Sequence, residues 1–277
     1  MKGFVAHRPD PRERSGMIHR RTLLSVALGT LPLPALAQLS PAAPEDAAEA
    51  GVASRRPARL RTPRLVLLRP GAPMVTLHAG VVAEQGLSVR FSGAGAPGGR
   101  ILLPSWYGYG RVFQILRLRG RDIVLAAFEG NRGTGVYQEI QAAIGLDDAG
   151  VLRILALETL SYRMSGPCHD NWRLDGALRP GAGEGALRYE ARLERREPDC
   201  RSQRPRAPRR EDWTDTLRWD GGGPIMGVPP PANAKDGQRR TAEIRALVAA
   251  WLVSPRTTVT LDDVERLRLM EALPDQA

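Results

Sequence analysis

Residues 186–196 read ALRYEARLERR, and their alternation is strict. Leu187, Tyr189, Ala191 and Leu193 take every second position, with Arg188, Glu190, Arg192 and Glu194 between and after them. Successive strand side chains point to opposite faces, so this period of two describes a half-buried β-strand with one apolar and one charged face. WTDTLRW at 213–219 repeats the pattern through Trp213, Leu217 and Trp219, and NWRLDGAL at 171–178 through Trp172, Leu174 and Leu178. Between two of these lies PGAGEG at 180–185, where glycine supplies positive φ without steric cost.

The same grammar holds upstream. RVFQILRL and DIVLAAFE flank RGR at 119–121, which reads as a hairpin, and VYQEIQAAIGL and VLRILALETLSY flank DDAG at 147–150. MVTLHAGVVAE, LSVRF and RILLP are shorter strand candidates. Strands in sequence with short turns and no helix between them pair with their neighbours. The expected fold is therefore mainly β: an antiparallel meander over 65–220 closing into a barrel or sandwich, with two C-terminal helices.

Beyond a Gly/Pro-rich linker at 221–240 the period changes. Ile244, Leu247, Val248, Trp251 and Leu252 fall at i, i+3, i+4, i+7 and i+8, the stripe of an amphipathic helix. Thr260 then opens TLDDVERLRLMEAL with a capping hydroxyl and acids in the first turn. These two elements form a C-terminal helical pair over 241–273.

Ahead of the β region, Met17 begins MIHRRTLLSVALGTLPLPALAQ: a basic start, an apolar run from Leu23 to Leu36, and a small-x-small site before Gln38. That is the layout of a secretory signal peptide over 1–37, with Met17 as the expected start. Arg20-Arg21-Thr22-Leu23-Leu24 fits a twin-arginine or a general export signal. Residues 38–64, rich in Ala, Pro and charge, bury too little to order themselves and read as a tether. The expected location is periplasmic or secreted.

Without residues 1–37 the chain carries 34 Lys plus Arg against 28 Asp plus Glu. Only Lys2 and Lys235 are lysines, so the basic character is an arginine bias, and an exported chain would seldom meet nucleic acid. No transmembrane span is expected in the mature chain, and dense charge on one strand face with polar terminal helices weighs against an outer-membrane barrel. Cys168 and Cys200 are expected to pair in an oxidising compartment. Closing that loop of about 33 residues would contribute roughly 3–4 kcal/mol on a chain-entropy basis. The rival reading takes Cys168-His169 as nucleophile and base, though such groups usually meet in space rather than in sequence.

FEGNRGTGVYQE at 128–139 resembles a phosphate cradle, with Gly130 and Gly135 suitably spaced. The Lys-Ser/Thr that should follow is Val136-Tyr137, and a dinucleotide fingerprint would need Gly where Gln138 stands. The stretch reads instead as a turn joining two strands. His78 and His169 are far apart and match no zinc spacing, so neither metal nor cofactor is expected.

Two site expectations remain. Trp106, Tyr107 and Tyr109 gather among glycines in SWYGYG, where aromatic rings could stack on a carbohydrate or an apolar ligand. Glu129, Glu139 and Glu158 sit on neighbouring strand candidates and could serve a hydrolase as paired acids. The first leads to a non-catalytic ligand-binding or envelope-accessory protein with a possible envelope partner, the second to a periplasmic hydrolase.

Overall fold

The structure, a computed structural model, describes residues 58–83, 85–105, 108–133, 135–165, 171–196 and 207–271. The expected signal peptide, most of the tether, Trp106, Tyr107, Cys168, His169 and Cys200 lie outside the described residues.

Strands β1 (Arg64–Val66), β2 (Val75–Val82), β3 (Gly86–Ser92) and β4 (Arg100–Leu103) form an antiparallel four-stranded sheet in chain order. A second sheet runs through β5 (Gly110–Leu118), β6 (Arg121–Gly133), β7 (Val136–Leu146), β8 (Leu152–Met164), β9 (Asn171–Pro180), β10 (Ala186–Arg196), β11 (Arg209–Arg218) and the short β12 (Met226–Gly227). Every neighbour in this eight-stranded sheet is consecutive in sequence, so it is the expected meander. Helices α1 (Asp236–Leu252) and α2 (Leu261–Arg266) follow, with a 3-10 turn at Leu269–Glu271.

The turns follow from local chemistry. Arg119 and Gly120 both take positive φ (48° and 71°), as a two-residue hairpin matched to strand twist requires. Gly135 closes the β6–β7 turn at φ 79°, and a Cβ there would overlap the Ser165 carbonyl oxygen. The glycine-rich stretch is thus a strand corner, with no helix after it to receive a phosphate.

β9, β10 and β11 show the alternation that the sequence predicts. Trp172, Leu174, Leu178, Leu187, Tyr189, Ala191, Leu193, Trp213, Leu217 and Trp219 are buried in one layer. β7 from Gln138 onward and β8 as far as Tyr162 are buried on both faces. Residues of both sheets and the helices share one apolar core, running from Val66 and Leu77 through Ile123 and Leu155 to Val248 and Val264. Each large side chain fully withdrawn from water there contributes about 1.5–3 kcal/mol.

The sheets form no closed barrel; of the two expected closures, the structure is compatible with the sandwich. The β8–β9 ladder covers only four residue pairs, Ser161–Met164 against Asp175–Trp172, although β8 begins at Leu152 and β9 runs to Pro180. The C-terminal chain fills this split: the Ile225 amide donates to the Leu155 carbonyl and the Ile154 amide to the Arg256 carbonyl, both at 2.8 Å. Residues 257–259 continue onto β4, where Leu102 donates to the Thr257 carbonyl (2.8 Å) and Val259 donates back to Leu102 (3.0 Å).

Helix α1 begins at Asp236, five residues before the expected Thr241, and β12 lies within the stretch read as linker. Lys235 is extended (φ −74°, ψ 164°) and starts the helix without a side-chain cap, so no capping signal marked that position. Helix α2 begins as expected: the Thr260 hydroxyl accepts from the Asp263 amide and the Asp263 carboxylate from the Thr260 amide.

Candidate functional site

Two of the three expected acids lie opposite one another in the β6–β7 ladder. Glu129 on β6 and Glu139 on β7 are direct cross-strand partners, and both are buried. A bulge at Gly130 sets this register; a Cβ there would overlap the Ile140 side chain and lie 2.8 Å from Gln138 Oε1. Arg111 at the start of β5 donates from Nη1 and Nη2 to the two oxygens of Glu139, the second bond at 3.4 Å. It follows Tyr109 by two residues, so the aromatic stretch leads into the acid pair. Tyr109 is 58% exposed, and its amide donates to Ser105 Oγ at 2.7 Å.

Glu158 belongs to a different centre, on α1, β8 and β11. Arg245 projects from α1 between β8 and β11. Its Nε donates to Glu158 Oε1 (2.5 Å) and its Nη2 to Glu158 Oε2 (3.3 Å) and Asp215 Oδ2 (3.1 Å). Gln238, two turns earlier on the helix, donates to Asp215 Oδ1 at 2.8 Å. The guanidinium carbon stands 5.2 Å from the centre of the Tyr189 ring. Arg245, Glu158 and Asp215 are each only 3–4% exposed.

β8 and β11 lie three places apart in the sheet, about 14 Å if it were flat. One guanidinium touches carboxylates from both because the sheet curls around it. Tyr189 shows the same curvature: from β10 it donates its hydroxyl to the Thr159 carbonyl of β8 at 2.8 Å, past β9 at Gly176. The Gln141 side chain completes the split, donating to the Thr159 carbonyl and accepting from the Leu178 amide, both at 3.4 Å.

Burial pushes the Glu158 carboxyl above its ordinary pKa of 4.5, with Arg245 opposing that rise. The Tyr189 hydroxyl is driven well above its usual value by burial and by the Glu158 charge. Burial works against the Arg245 cation, but Glu158 and Asp215 outweigh it and hold the guanidinium above its ordinary value. All four carboxylate oxygens of the centre accept hydrogen bonds from N–H donors. Each oxygen thus has an N–H partner, and the centre holds a buried cation and ties α1 to β8 and β11.

The sequence carried signals for this centre that the apolar pattern hid. Asp215 occupies an apolar place in the row Trp213–Asp215–Leu217–Trp219, and Gly176 does so in Trp172–Leu174–Gly176–Leu178. Gln238, Thr241 and Arg245 form a buried polar row that runs into Val248 and Leu252 of the apolar stripe.

Two cavities accompany these features. One of about 10 Å³ is lined by Leu157, Glu158, Thr159, Thr241, Ile244 and Leu269. The other, about 290 Å³, is an open hollow beside Trp219, Arg218 and Glu184 at the β9–β10 turn. Among the described residues no three of His, Cys, Asp or Glu are grouped to hold a metal ion, and no helix is long and apolar enough to cross a membrane. Comparison of the chain with protein-family models, with curated proteins and with solved structures finds no match.

Proposed function

We propose that this is an exported, non-catalytic protein of the cell envelope, periplasmic or secreted, that binds a ligand or an envelope partner. The carrying observation is that two of the three candidate acids are held in ion pairs, Glu139 by Arg111 and Glu158 by Arg245. Export rests on the Met17–Gln38 pattern, by the twin-arginine or the general route, and the oxidising compartment would pair Cys168 with Cys200. Trp106, Tyr107 and Tyr109 are the proposed contacts for an apolar or carbohydrate ligand, a few residues ahead of Arg111 in the sequence.

Mass spectrometry of molecules that co-purify with the protein from periplasm tests the reading. A recurrent apolar or carbohydrate ligand, lost when Tyr109 is changed to Ala, is the expected result. Protein that is consistently ligand-free, unmoved by the Tyr109 change and found in the cytoplasmic fraction would end it.

The cross-strand contact of Glu129 with Glu139 favours one alternative, a hydrolase that uses this pair. It requires turnover of a glycoside or ester panel that disappears in Glu129→Gln and Glu139→Gln while the fold is retained.

A further inference from the structure

The Arg245 centre has the make-up of a cation receptor. Its acceptors belong to the sheet: Glu158 from β8, Asp215 from β11 and the ring of Tyr189 from β10. The cation comes on a separate element, α1, which reaches this place through a segment holding Gly221–Gly223 and Pro229–Pro231. Two carboxylates and an aromatic face, all withdrawn from water, are what a guanidinium or ammonium group seeks.

The helix is seated by apolar and polar groups together. Of its eight buried residues only Ile244, Val248, Ala249 and Leu252 are apolar; the others are Gly237, Gln238, Thr241 and Arg245. Its C-terminal end is held by Arg153 of β8, which donates to the Leu252 and Val253 carbonyls. Beneath its N-terminal turn lies an apolar floor, where a Cβ on Gly237 would stand 3.0 Å from Leu193 and 3.1 Å from the Trp213 ring. Leu174 lies across from Leu193, and Trp172 continues the same face of β9, opposite Arg195, whose guanidinium carbon stands 4.8 Å from the centre of the Trp172 ring.

The seated state leaves donors without acceptors. Among the described residues, Arg245 Nη1 and the buried indole N–H groups of Trp172 and Trp213 find no partner. A buried donor left this way carries the full cost of its desolvation. A ligand with a hydroxyl, ether or carbonyl beside its chain would satisfy the indoles, which α1 does not.

We infer that the concave face of β8–β11 under α1 is a binding seat for a cationic amphiphile, with α1 as its displaceable lid and Arg245 as the built-in competitor for the two carboxylates. The cationic head takes the place of the guanidinium between Glu158 and Asp215, over Tyr189. The apolar chain lies along Leu193, Trp213 and Trp172. The seat is proposed independently of export and of the Tyr109 reading.

The test uses the mature chain with three eight-carbon probes: octylguanidine, octanol and octanoate. Tryptophan fluorescence reads binding, and hydrogen exchange compares 236–252 with β6 and β7. Octylguanidine is expected to bind saturably, with about tenfold or more preference over octanol and octanoate. It should speed exchange in α1 while β6 and β7 stay protected. Glu158→Gln and Asp215→Asn should each weaken octylguanidine about tenfold. Arg245→Lys keeps the charge but loses the two-pronged fork, so a weaker competitor should let the probe bind more tightly. Circular dichroism establishes which variants are folded, and the Arg245→Lys arm stands even if a carboxylate variant is not. Equal binding of the three probes overturns the proposal. So does α1 exchange that rises only together with β6 and β7, or an Arg245→Lys chain that binds no better than the parent.

Discussion

The Tyr189 hydroxyl stands where a side chain at Gly176 would have to be: a Cβ on Gly176 would overlap both that hydroxyl and the Thr159 carbonyl. The glycine is therefore the opening through which β10 reaches β8 across β9, and the curl of the sheet depends on it.

Gly176→Ala should destabilise the protein by about 1–3 kcal/mol, the usual range for overpacking a closed interior. Tyr189→Phe leaves the opening intact but removes the shorter of two bonds to the Thr159 carbonyl, which keeps the 3.4 Å bond from Gln141, and should cost about 1 kcal/mol. Urea unfolding measures both. Because the two changes act on one contact, the double variant should lose less than the sum of the singles. Full additivity would show that the tyrosine does not pass through the Gly176 opening.

The Glu158 carboxyl is raised in the folded chain, so the native state holds its proton at pH values where the unfolded chain has released it. The stabilisation linked to this group is complete below the ordinary value of 4.5 and is lost as pH rises through the raised folded value. Glu158→Gln cannot titrate, so its stability should fall less steeply than the parent's across that window. Parallel curves of unfolding free energy against pH would contradict the assignment.

Arg111 holds Glu139 through both carboxylate oxygens, and the acid is 3% exposed. Arg111→Ala should cost about 3 kcal/mol, because it takes a two-pronged cationic partner from a buried charge. The double variant Arg111→Leu, Glu139→Leu should recover much of that loss in thermal unfolding. Continued loss in the double variant would point to a role for the pair beyond neutralising each other.

At the start of α2, Thr260→Ala removes the hydroxyl that accepts from Asp263 and should cost about 1 kcal/mol. Thr260→Ser should restore it. Hydrogen exchange at 261–266 would read the change locally, and an unchanged pattern in the Ala variant would argue that packing of Val264 alone holds the helix.

The strands, the meander order and the Thr260 cap were legible along the chain because each is set by neighbours within a few residues. Period two at 186–196 needs only that successive side chains alternate, and RGR at 119–121 needs only its two positive-φ positions. The start of α1 escaped because Gly237 and Gln238 are buried through partners outside the helix, and nothing local distinguishes them from linker.

Local chemistry thus determined a mainly β chain with a helical end, and it placed Glu129 and Glu139 on either side of one glycine-rich corner. Only tertiary structure decided that this corner pairs the two acids, that the sheet opens between β8 and β9, and that Glu158 and Asp215 close on Arg245. Those last contacts join residues 87 and 30 positions apart. Which buried charges meet depends on how far the sheet curls, and that curl rests on a missing side chain at Gly176 and a tyrosine long enough to use the space.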